Sequence, residues 1–185
     1  MQFTDIDRFH SSLVRLKSFL SSDVSQEYLN WMTDSETIKY LESRFQKPTF
    51  LELQEYVQAV SDSPDGYMFR IMINESDAHV GNIKVDKIDI NHKTAEVGII
   101  IGDQAAWGKG IATDSIRLVS DFAFNNLELE KITAGCYVDN IGSCRAFQKS
   151  GYEVEGVLRE QCRLPDGRRT DVYRFGLLRR DWVPL

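Results

Sequence analysis

Apolar and polar positions along this chain predict strands over most of its length, with helices at a few places. Residues 12–17 alternate between apolar and polar side chains, which is typical of a strand with one buried face. The apolar runs 67–73 and 79–88, and a third run that ends at Ile101, are separated by short polar turns. Together these runs predict a meander of antiparallel strands.

Two helices are expected between the opening strand and the meander. Capping-box patterns, in which a short polar side chain is followed three residues later by Glu or Gln, occur at residues 23–26 and 49–52. We therefore expect one helix to be capped by Asp23 and the other by Thr49. The sequence Ser63-Pro64-Asp65-Gly66 should end the second helix.

The second half of the chain predicts a strand–helix–strand crossover and a closing hairpin. Apolar residues between positions 115 and 124 recur with a helical period, and residues 131–138 form the next apolar strand. A crossover of this kind places its two strands parallel to each other. Segments 153–161 and 170–178 should pair around the turn Pro165-Asp166-Gly167.

These elements predict an α+β (mixed α/β) fold class. We expect a mostly antiparallel, twisted sheet of about seven strands with one parallel pair, flanked by helices. A chain of 185 residues, 42% of them hydrophobic, has room for one sizeable core. A single domain over residues 1–185 is therefore expected.

Charge and cysteine content narrow the possible partners. The formal net charge of −6 argues against a nucleic-acid-binding surface, which needs a basic face. It weakly favours a cationic substrate, although the same charge is as typical of any soluble protein. Cys136, Cys144 and Cys162 show no C-x-x-C spacing, and His10, His79 and His92 do not cluster, so we expect reduced thiols and no metal site. 

The sequence predicts a cytoplasmic protein. No apolar run approaches the roughly 20 residues that span a bilayer. The opening residues Met1-Gln2-Phe3-Thr4-Asp5 lack the basic-then-apolar order of a secretory signal. No membrane partner is expected, while an exposed edge strand could pair two copies into a homodimer.

A glycine loop between a strand and a helix carries the clearest chemical signal. Gly108 and Gly110 lack the Cβ atoms that would keep backbone N–H groups from an anion, and the following helix directs its positive end at the same place. This predicts a site for the pyrophosphate of a cofactor, although a single G-x-G also occurs in ordinary turns. A Walker loop and a Rossmann fingerprint are excluded, because Lys109 stands between the glycines and Thr113 replaces a third glycine.

Two motifs resemble the GNAT superfamily of acetyl-CoA-dependent N-acetyltransferases, and within it the RimJ/RimL-like branch. The pyrophosphate motif Q/R-x-x-G-x-G/A lies on residues 107–112, with Trp107 in the place of Gln or Arg. The second signature, an Asn opening a helix that ends in Gly and an aromatic residue, is similar to residues 140–152. The resemblance covers nearly the whole chain and implies a GNAT-like sheet in which the parallel pair splays around acetyl-CoA.

The resemblance also implies which residues hold acetyl-CoA as co-substrate. Those expected in this role are Ile99, Ile100 and Ile101 along the pantetheine arm, Trp107, Gly108, Lys109, Gly110, Ile111, Ala112 and Thr113 around the diphosphate, and Asn140, Ser143 and Phe147 near the pantetheine and its thiol. Structural alternatives remain open for several of them. The isoleucines also suit a buried strand, and Asn140 suits a helix N-cap.

The catalytic groups follow from direct attack of an amine on the thioester, which needs alignment and a proton acceptor. Glu96 and Glu160 are the candidate bases. Many GNAT members have a tyrosine as general acid where this chain has Phe147. The RimJ/RimL-like relatives that this chain resembles carry a serine at the position of Ser143, which makes Ser143 the candidate proton donor to the leaving thiolate. First helices border the acceptor in such enzymes, so the candidate substrate contacts are Trp31, Tyr28 and Glu96.

The expected function is transfer of acetyl to a primary amine, which is either a protein N-terminus, such as that of a ribosomal protein, or a small molecule such as a polyamine or amino sugar. Fold-level kinship does not decide among these acceptors. The alternative is a non-catalytic acyl-CoA-binding or regulatory module, a possibility that the missing tyrosine at Phe147 keeps open.

Overall fold

The computed structural model describes residues 9–184 of the chain. The opening residues 1–5, on which the expectation about a secretory signal was based, lie outside this range. In the described part, seven strands, β1 to β7, span Val14–Ser18, Tyr67–Ile73, His79–Asp89, Thr94–Ile101, Lys131–Tyr137, Glu153–Arg163 and Arg169–Leu178. Four α-helices, α1 to α4, span Gln26–Thr33, Phe50–Asp62, Ile111–Asn125 and Ile141–Lys149.

The seven strands form one sheet in the order β1-β2-β3-β4-β5-β7-β6. Neighbouring strands are antiparallel except for β4 and β5, which are parallel and are joined by the crossover helix α3. The predicted fold class, a mostly antiparallel sheet with one parallel pair and flanking helices, is confirmed.

Helices cover both faces of the sheet, and the two larger of the three buried clusters among the described residues lie beneath them. The larger core lies beneath α3 and α4, where Phe122, Phe147 and Phe175 are almost completely buried. A smaller core lies beneath α1 and α2 on the opposite face and includes Phe19 and Val57. Burial of each such side chain contributes about 2 kcal/mol, so the two cores hold the central strands firmly.

Local sequence signals explain where the helices begin. Thr49 accepts a hydrogen bond from the N–H of Glu52, whose carboxylate accepts one from the N–H of Thr49, so the predicted capping box of α2 is confirmed. The cap of α1 was placed wrongly. Ser25 rather than Asp23 accepts from the N–H of Tyr28, because the backbone at Ser25 is extended and its hydroxyl reaches the first turn.

Candidate functional site

A gap opens in the sheet between β4 and β5. The two strands pair only where residues 94–96 lie beside residues 131–133. The pairing ends there, whereas β4 continues to Ile101. The last five residues of β4 therefore have one backbone edge that faces an open cleft instead of a neighbouring strand.

The backbone of β4 directs every second N–H group into this cleft. Gly102, which follows the strand, donates its N–H to Val80 of β3 at 2.9 Å. Because backbone groups alternate in direction along a strand, the N–H groups of Ile99 and Ile101 face the cleft and that of Ile100 faces β3. Of the three isoleucines expected along the pantetheine arm, only Ile99 and Ile101 therefore direct an N–H group into the cleft.

The turn that follows β4 depends on two glycines in the left-handed conformation. Gly108 has a φ of +75° and Gly110 a φ of +85°, values that other residues rarely adopt. Gly110 is the N-cap of α3 and has no side chain with which to cap it, so the N–H groups of the first turn remain available to an anion. The indole Nε1 of Trp107 donates to the carbonyl of Ile101 at 2.8 Å and closes the turn onto the end of β4.

The start of α4 faces the same cleft. Asn140 is the N-cap of this helix, and its Oδ1 accepts a hydrogen bond from the N–H of Ser143 at 3.3 Å. The N-cap interpretation of Asn140 is therefore confirmed. Its role toward a cofactor is a separate matter that this capping bond leaves open.

The gap, the glycine turn and the start of α4 together enclose a cavity of about 630 Å³, here called the loop cavity. Of the residues expected to hold acetyl-CoA, those on its wall are Ile99, Ile100, Ile101, Trp107, Gly108, Gly110, Ile111, Ala112, Thr113, Asn140 and Ser143. Lys109 and Phe147 are not among its wall residues. Sequence segments more than 25 residues apart thus converge on one cavity.

Three cationic residues on the loop cavity, Lys39, Arg145 and Lys149, were missed by the sequence analysis. Arg145 and Lys149 lie four residues apart on α4, which places them on one face of the helix, and both line the cavity. Positive side chains beside a glycine turn suit a ligand with several phosphates. The signal that could have found the two on α4 is their i, i+4 spacing in the helix after Asn140.

A second cavity of about 780 Å³, here called the hairpin cavity, extends from the gap to the β6–β7 hairpin. The residues that line both cavities are Tyr40, Leu41, Ile99, Asn140 and Ser143. Two ligands, one in each cavity, would therefore meet beside these residues. The first of the three candidate catalytic residues, Ser143, lies at this junction.

Glu96 lines the hairpin cavity and takes part in two ion pairs. Its Oε2 lies 3.1 Å from Nζ of Lys87 and 3.5 Å from Nη2 of Arg174. Burial alone would raise the pKa of this carboxyl, but the hydrogen bond from Lys87 and the charge of Arg174 outweigh burial and hold the pKa below its ordinary value of 4.5. Glu96 is therefore ionised at neutral pH.

Glu160 does not reach either cavity. It stands in an irregular part of β6 with a φ of 50°, and its N–H donates to Oδ1 of Asp171 at 2.7 Å. The bulge turns its side chain to the surface of the hairpin. Of the two candidate bases, the structure places only Glu96 on a cavity wall.

The proposed substrate contacts on α1 also lie apart from both cavities. Tyr28 is 2% exposed and packs edge-on against Phe19 with ring centroids 5.3 Å apart. Trp31 packs against Gly102, where a Cβ atom would overlap its indole, and lies 5.0 Å from the ring of His79. Both aromatic side chains pack against neighbouring residues. Helical spacing in the sequence could not distinguish this role from contact with a substrate.

Phe147 is a core residue in this structure. It is 2% exposed and lies against Tyr152 and Phe175 with ring centroids 5.1 Å and 5.7 Å away. Phe147 also lines the hairpin cavity, and the same wall holds a tyrosine, Tyr137, whose hydroxyl donates a hydrogen bond to Glu42. Burial, followed by hydrogen bonding, raises the pKa of this phenol, so it stays protonated at neutral pH.

Two features are absent from residues 9–184, the part of the chain that the structure describes. Within that range, no group of three or more His, Cys, Asp or Glu side chains is arranged to hold a metal ion. No helix in the same range has both the length and the apolar character that a bilayer-crossing segment requires.

Comparison with known proteins shows which family this chain resembles. A sequence model of the family described as "Acetyltransferase (GNAT) domain" matches residues 14–153. The chain is 30% identical to "Uncharacterized N-acetyltransferase p20" of Bacillus licheniformis, over 71% of this chain and 75% of that protein. It is 29% identical to a spermidine N(1)-acetyltransferase of Vibrio cholerae, over 75% of this chain and 80% of that protein.

Solved structures show the same fold. The spermidine N-acetyltransferase from Vibrio cholerae in complex with CoA and spermine superposes with a TM-score of 0.81 at 25% identity, covering 92% of this chain and 98% of that one. A "putative acetyltransferase" crystal structure gives a TM-score of 0.74 at 25% identity, with 94% and 89% of the two chains covered. The chain therefore belongs to the GNAT acetyltransferase family and is an N-acetyltransferase, as its two motifs predicted.

Proposed function

We propose that this protein binds acetyl-CoA in the loop cavity and transfers the acetyl group to a primary amine held in the hairpin cavity. The observation that carries the proposal is that the two cavities share Ile99, Asn140 and Ser143 at the point where β4 and β5 separate. We further propose that the chain belongs to the RimJ/RimL-like branch, because Trp107 and Ser143 match residues that this branch carries at the same positions.

In the proposed complex, each part of acetyl-CoA contacts a group described above. The N–H groups of the glycine turn and of the first turn of α3 bind the diphosphate, as helix N-termini do for anions. Arg145 and Lys149 provide positive charge for the remaining phosphate. The N–H of Ile101 bonds the pantetheine arm along the free edge of β4, as an added strand would, and the N–H of Ile99 remains for the thioester.

The catalytic proposal gives three residues distinct tasks. The N–H of Ile99 donates to the thioester carbonyl, where negative charge develops, and a placed donor of this kind stabilises the transition state by roughly 3 kcal/mol. Glu96, which is ionised, attracts the acceptor ammonium and takes up its proton through water. The Ser143 hydroxyl hydrogen-bonds the sulfur as the C–S bond breaks. The proton that the attacking nitrogen loses as it becomes an amide passes through this hydroxyl to the departing thiolate, so Ser143 ends the step protonated.

Three classes of acceptor suit the proposed chemistry. RimJ/RimL-like enzymes acetylate protein N-termini, which favours an N-terminal amine, and the Vibrio cholerae relative named for spermidine keeps a small polyamine in view. An amino sugar is a third acceptor of the same chemistry. All three present a primary amine to a thioester, and they differ chiefly in the charge and length of the group behind it.

The proposal is tested by calorimetry with CoA on two matched variants. Gly108→Ala and Gly167→Ala both force a Cβ onto a backbone with positive φ, and neither Cβ meets an atom within 4 Å. Only Gly108 lies in the loop cavity, so we expect Gly108→Ala alone to weaken CoA binding, by about tenfold or more. Equal affinities for the two variants would contradict the proposed diphosphate site.

A turnover assay distinguishes a transferase from a non-catalytic module. Release of free CoA thiol is followed over a panel of N-terminal peptides, polyamines and amino sugars. Release with at least one amine supports the transferase. Tight CoA binding without thiol release on any of them would favour the non-catalytic acyl-CoA-binding or regulatory module.

A further inference from the structure

The wall of the hairpin cavity is positively charged. Its ionisable lysines, arginines and carboxylates are Arg44, Lys87, Arg163, Arg169 and Arg174 against Glu42 and Glu96. Five cations against two carboxylates leave an excess of three positive charges, although the whole chain carries −6. The cavity therefore has the opposite sign to the rest of the molecule.

Part of this charge has no protein partner. Glu42 lies 3.8 Å from Arg44, and Glu96 pairs with the two cations already described. Within the described range 9–184, no carboxylate forms an ion pair with Arg163 or Arg169, which both stand near the tip of the β6–β7 hairpin. These two guanidinium groups are available to a ligand.

The hairpin holds these two arginines in an unfavourable arrangement. Arg163 of β6 lies directly opposite Arg169 of β7, and like charges in facing positions destabilise a sheet. The Nε of Arg169 donates to the carbonyl of Glu160 at 2.7 Å, which leaves its outer nitrogens unused by that bond. An anion bound between the two side chains would relieve their repulsion.

A bulge in β6 lies directly before this charge. Gln161, Cys162 and Arg163, at and after the bulge, all line the hairpin cavity. The register of β6 against β7 shifts between Leu158 and Cys162, and bulges of this kind redirect side chains next to functional sites. The local irregularity therefore builds part of the cavity wall.

We propose that the acceptor is a primary amine whose body carries carboxylates. Its amine lies beside Glu96, and its carboxylates lie toward Arg174, Arg163 and Arg169. Arg174 and Arg169 both line the hairpin cavity and are five residues apart on β7, roughly 17 Å along a strand, so an extended acidic peptide is long enough to reach from one to the other. A polyamine would meet these cations with charge of the same sign. This inference rests on the proposed function, because it assumes that the acceptor occupies the hairpin cavity.

The first test compares acceptors that differ only in charge. Thiol release is measured with peptides Ala-Asp-Glu-Asp-Glu, Ala-Asn-Gln-Asn-Gln and Ala-Lys-Arg-Lys-Arg, with free glutamate and with spermidine. We expect the acidic peptide to exceed the neutral one in kcat/KM by about tenfold, and the ratio to fall as salt is added. Glutamate as the best acceptor also supports the inference and identifies a small substrate, whereas equal or faster reaction of the neutral peptide, the basic peptide or spermidine overturns it.

Two variants test whether the preference for acidic peptides arises in the hairpin cavity. One removes a charge from the cavity wall, and the control removes a charge elsewhere on the same strand. Arg163→Gln should lower kcat/KM for the acidic peptide by about fivefold and leave the neutral peptide unchanged. Arg159→Gln removes the same charge from an exposed position of the same strand that lines neither cavity, and it should leave both peptides unchanged. Equal losses in the two variants would attribute the effect to net charge and contradict the inference.

Measurements of peptide binding show whether the inferred anion site or the proposed transferase activity is wrong. If no acceptor releases thiol, the proposed transferase activity is wrong, and the affinity of each peptide for the CoA complex is then measured by calorimetry. Tighter binding of the acidic peptide that is lost in Arg163→Gln still supports an anion site. Equal binding of the acidic and neutral peptides overturns it.

Discussion

At the residue scale, the hydroxyl of Ser143 is not needed to cap helix α4, and it hydrogen-bonds the thiol of Cys136. The helix start is already capped, since the N–H of Ser143 itself donates to Oδ1 of Asn140. The side chain lies where the loop cavity meets the hairpin cavity. Tyr40 shares this junction and is the other hydroxyl that could reach a thiolate there.

We expect Ser143→Ala to lower kcat by roughly 10²-fold while the dissociation constant of CoA stays the same, because the donor acts on the leaving sulfur and not on the bound ground state. Steady-state rates and calorimetry on the same preparation measure the two quantities. Tyr40→Phe is the control. A full kcat in Ser143→Ala together with a large loss in Tyr40→Phe would transfer the donor role to Tyr40.

His79 predicts a pH dependence of stability. Its Nε2 lies 3.0 Å from the carbonyl of Gly81 and 2.9 Å from Oδ1 of Asn82, so the neutral ring donates there. Burial lowers the pKa of His79 below its ordinary value of 6.5, and the hydrogen bond to Asn82 opposes this only in part. The unfolded chain therefore takes up a proton more readily than the folded one.

The resulting contribution to stability is fully present above pH 6.5 and is lost as the pH falls toward the lowered pKa of the folded state. Melting temperatures of the wild type should therefore drop more between pH 7 and pH 5 than those of His79→Gln. His92→Gln, which replaces an exposed histidine in a turn, should follow the wild type. Parallel curves for all three proteins would disprove the assignment.

At the element scale, helix α1 is held against the end of β4 by one close contact. Trp31 lies directly on the backbone of Gly102, between the strand that borders the cleft and the glycine turn. The residues before and after this glycine contribute to the site, so the packing of α1 helps to fix where the turn begins.

We expect Gly102→Ala to lower the free energy of unfolding by roughly 1–3 kcal/mol, because the new methyl group must displace the Trp31 indole. Urea denaturation gives the value. Gly156→Ala is the matched change in a strand where a Cβ meets nothing within 4 Å, and it should cost about 0.5 kcal/mol or less. Similar losses for both variants would show that the contact with Trp31 is unimportant.

Sequence patterns predicted most elements because their signals are local. Strand β2 was predicted at its observed bounds, Tyr67–Ile73, since alternation and turn residues suffice to define it. The cap of α1 was misplaced because Asp23 has a distant partner, Arg70, at 3.1 Å, which no local pattern reveals. The cations of the hairpin cavity were missed for the same reason, since strand pairing brings them together from separate segments.

At the scale of the whole molecule, the site depends on the sheet as a unit. Elements from residue 36 to residue 174 contribute to the walls of the two cavities. We propose that the chain folds as one domain, as the continuous seven-stranded sheet suggests. Thermal unfolding should then show a single cooperative transition.

Saturating CoA should move that transition as a whole. At a concentration of 100 times the dissociation constant, a ligand that binds only the folded state stabilises it by about 2.7 kcal/mol. For a chain of this size we expect the melting temperature to rise by roughly 5–10 °C, measured by calorimetric scanning. Two transitions, only one of which responds to CoA, would indicate separate folding units instead.

The indole of Trp107 also makes the protein its own optical reporter. It is 45% exposed and lines the loop cavity, whereas Trp31 and Trp182 are both partly buried. A ligand that covers the ring displaces water from it and shifts its fluorescence emission to shorter wavelength. Occupancy of the site can therefore be followed by intrinsic emission, without any label attached to enzyme or ligand.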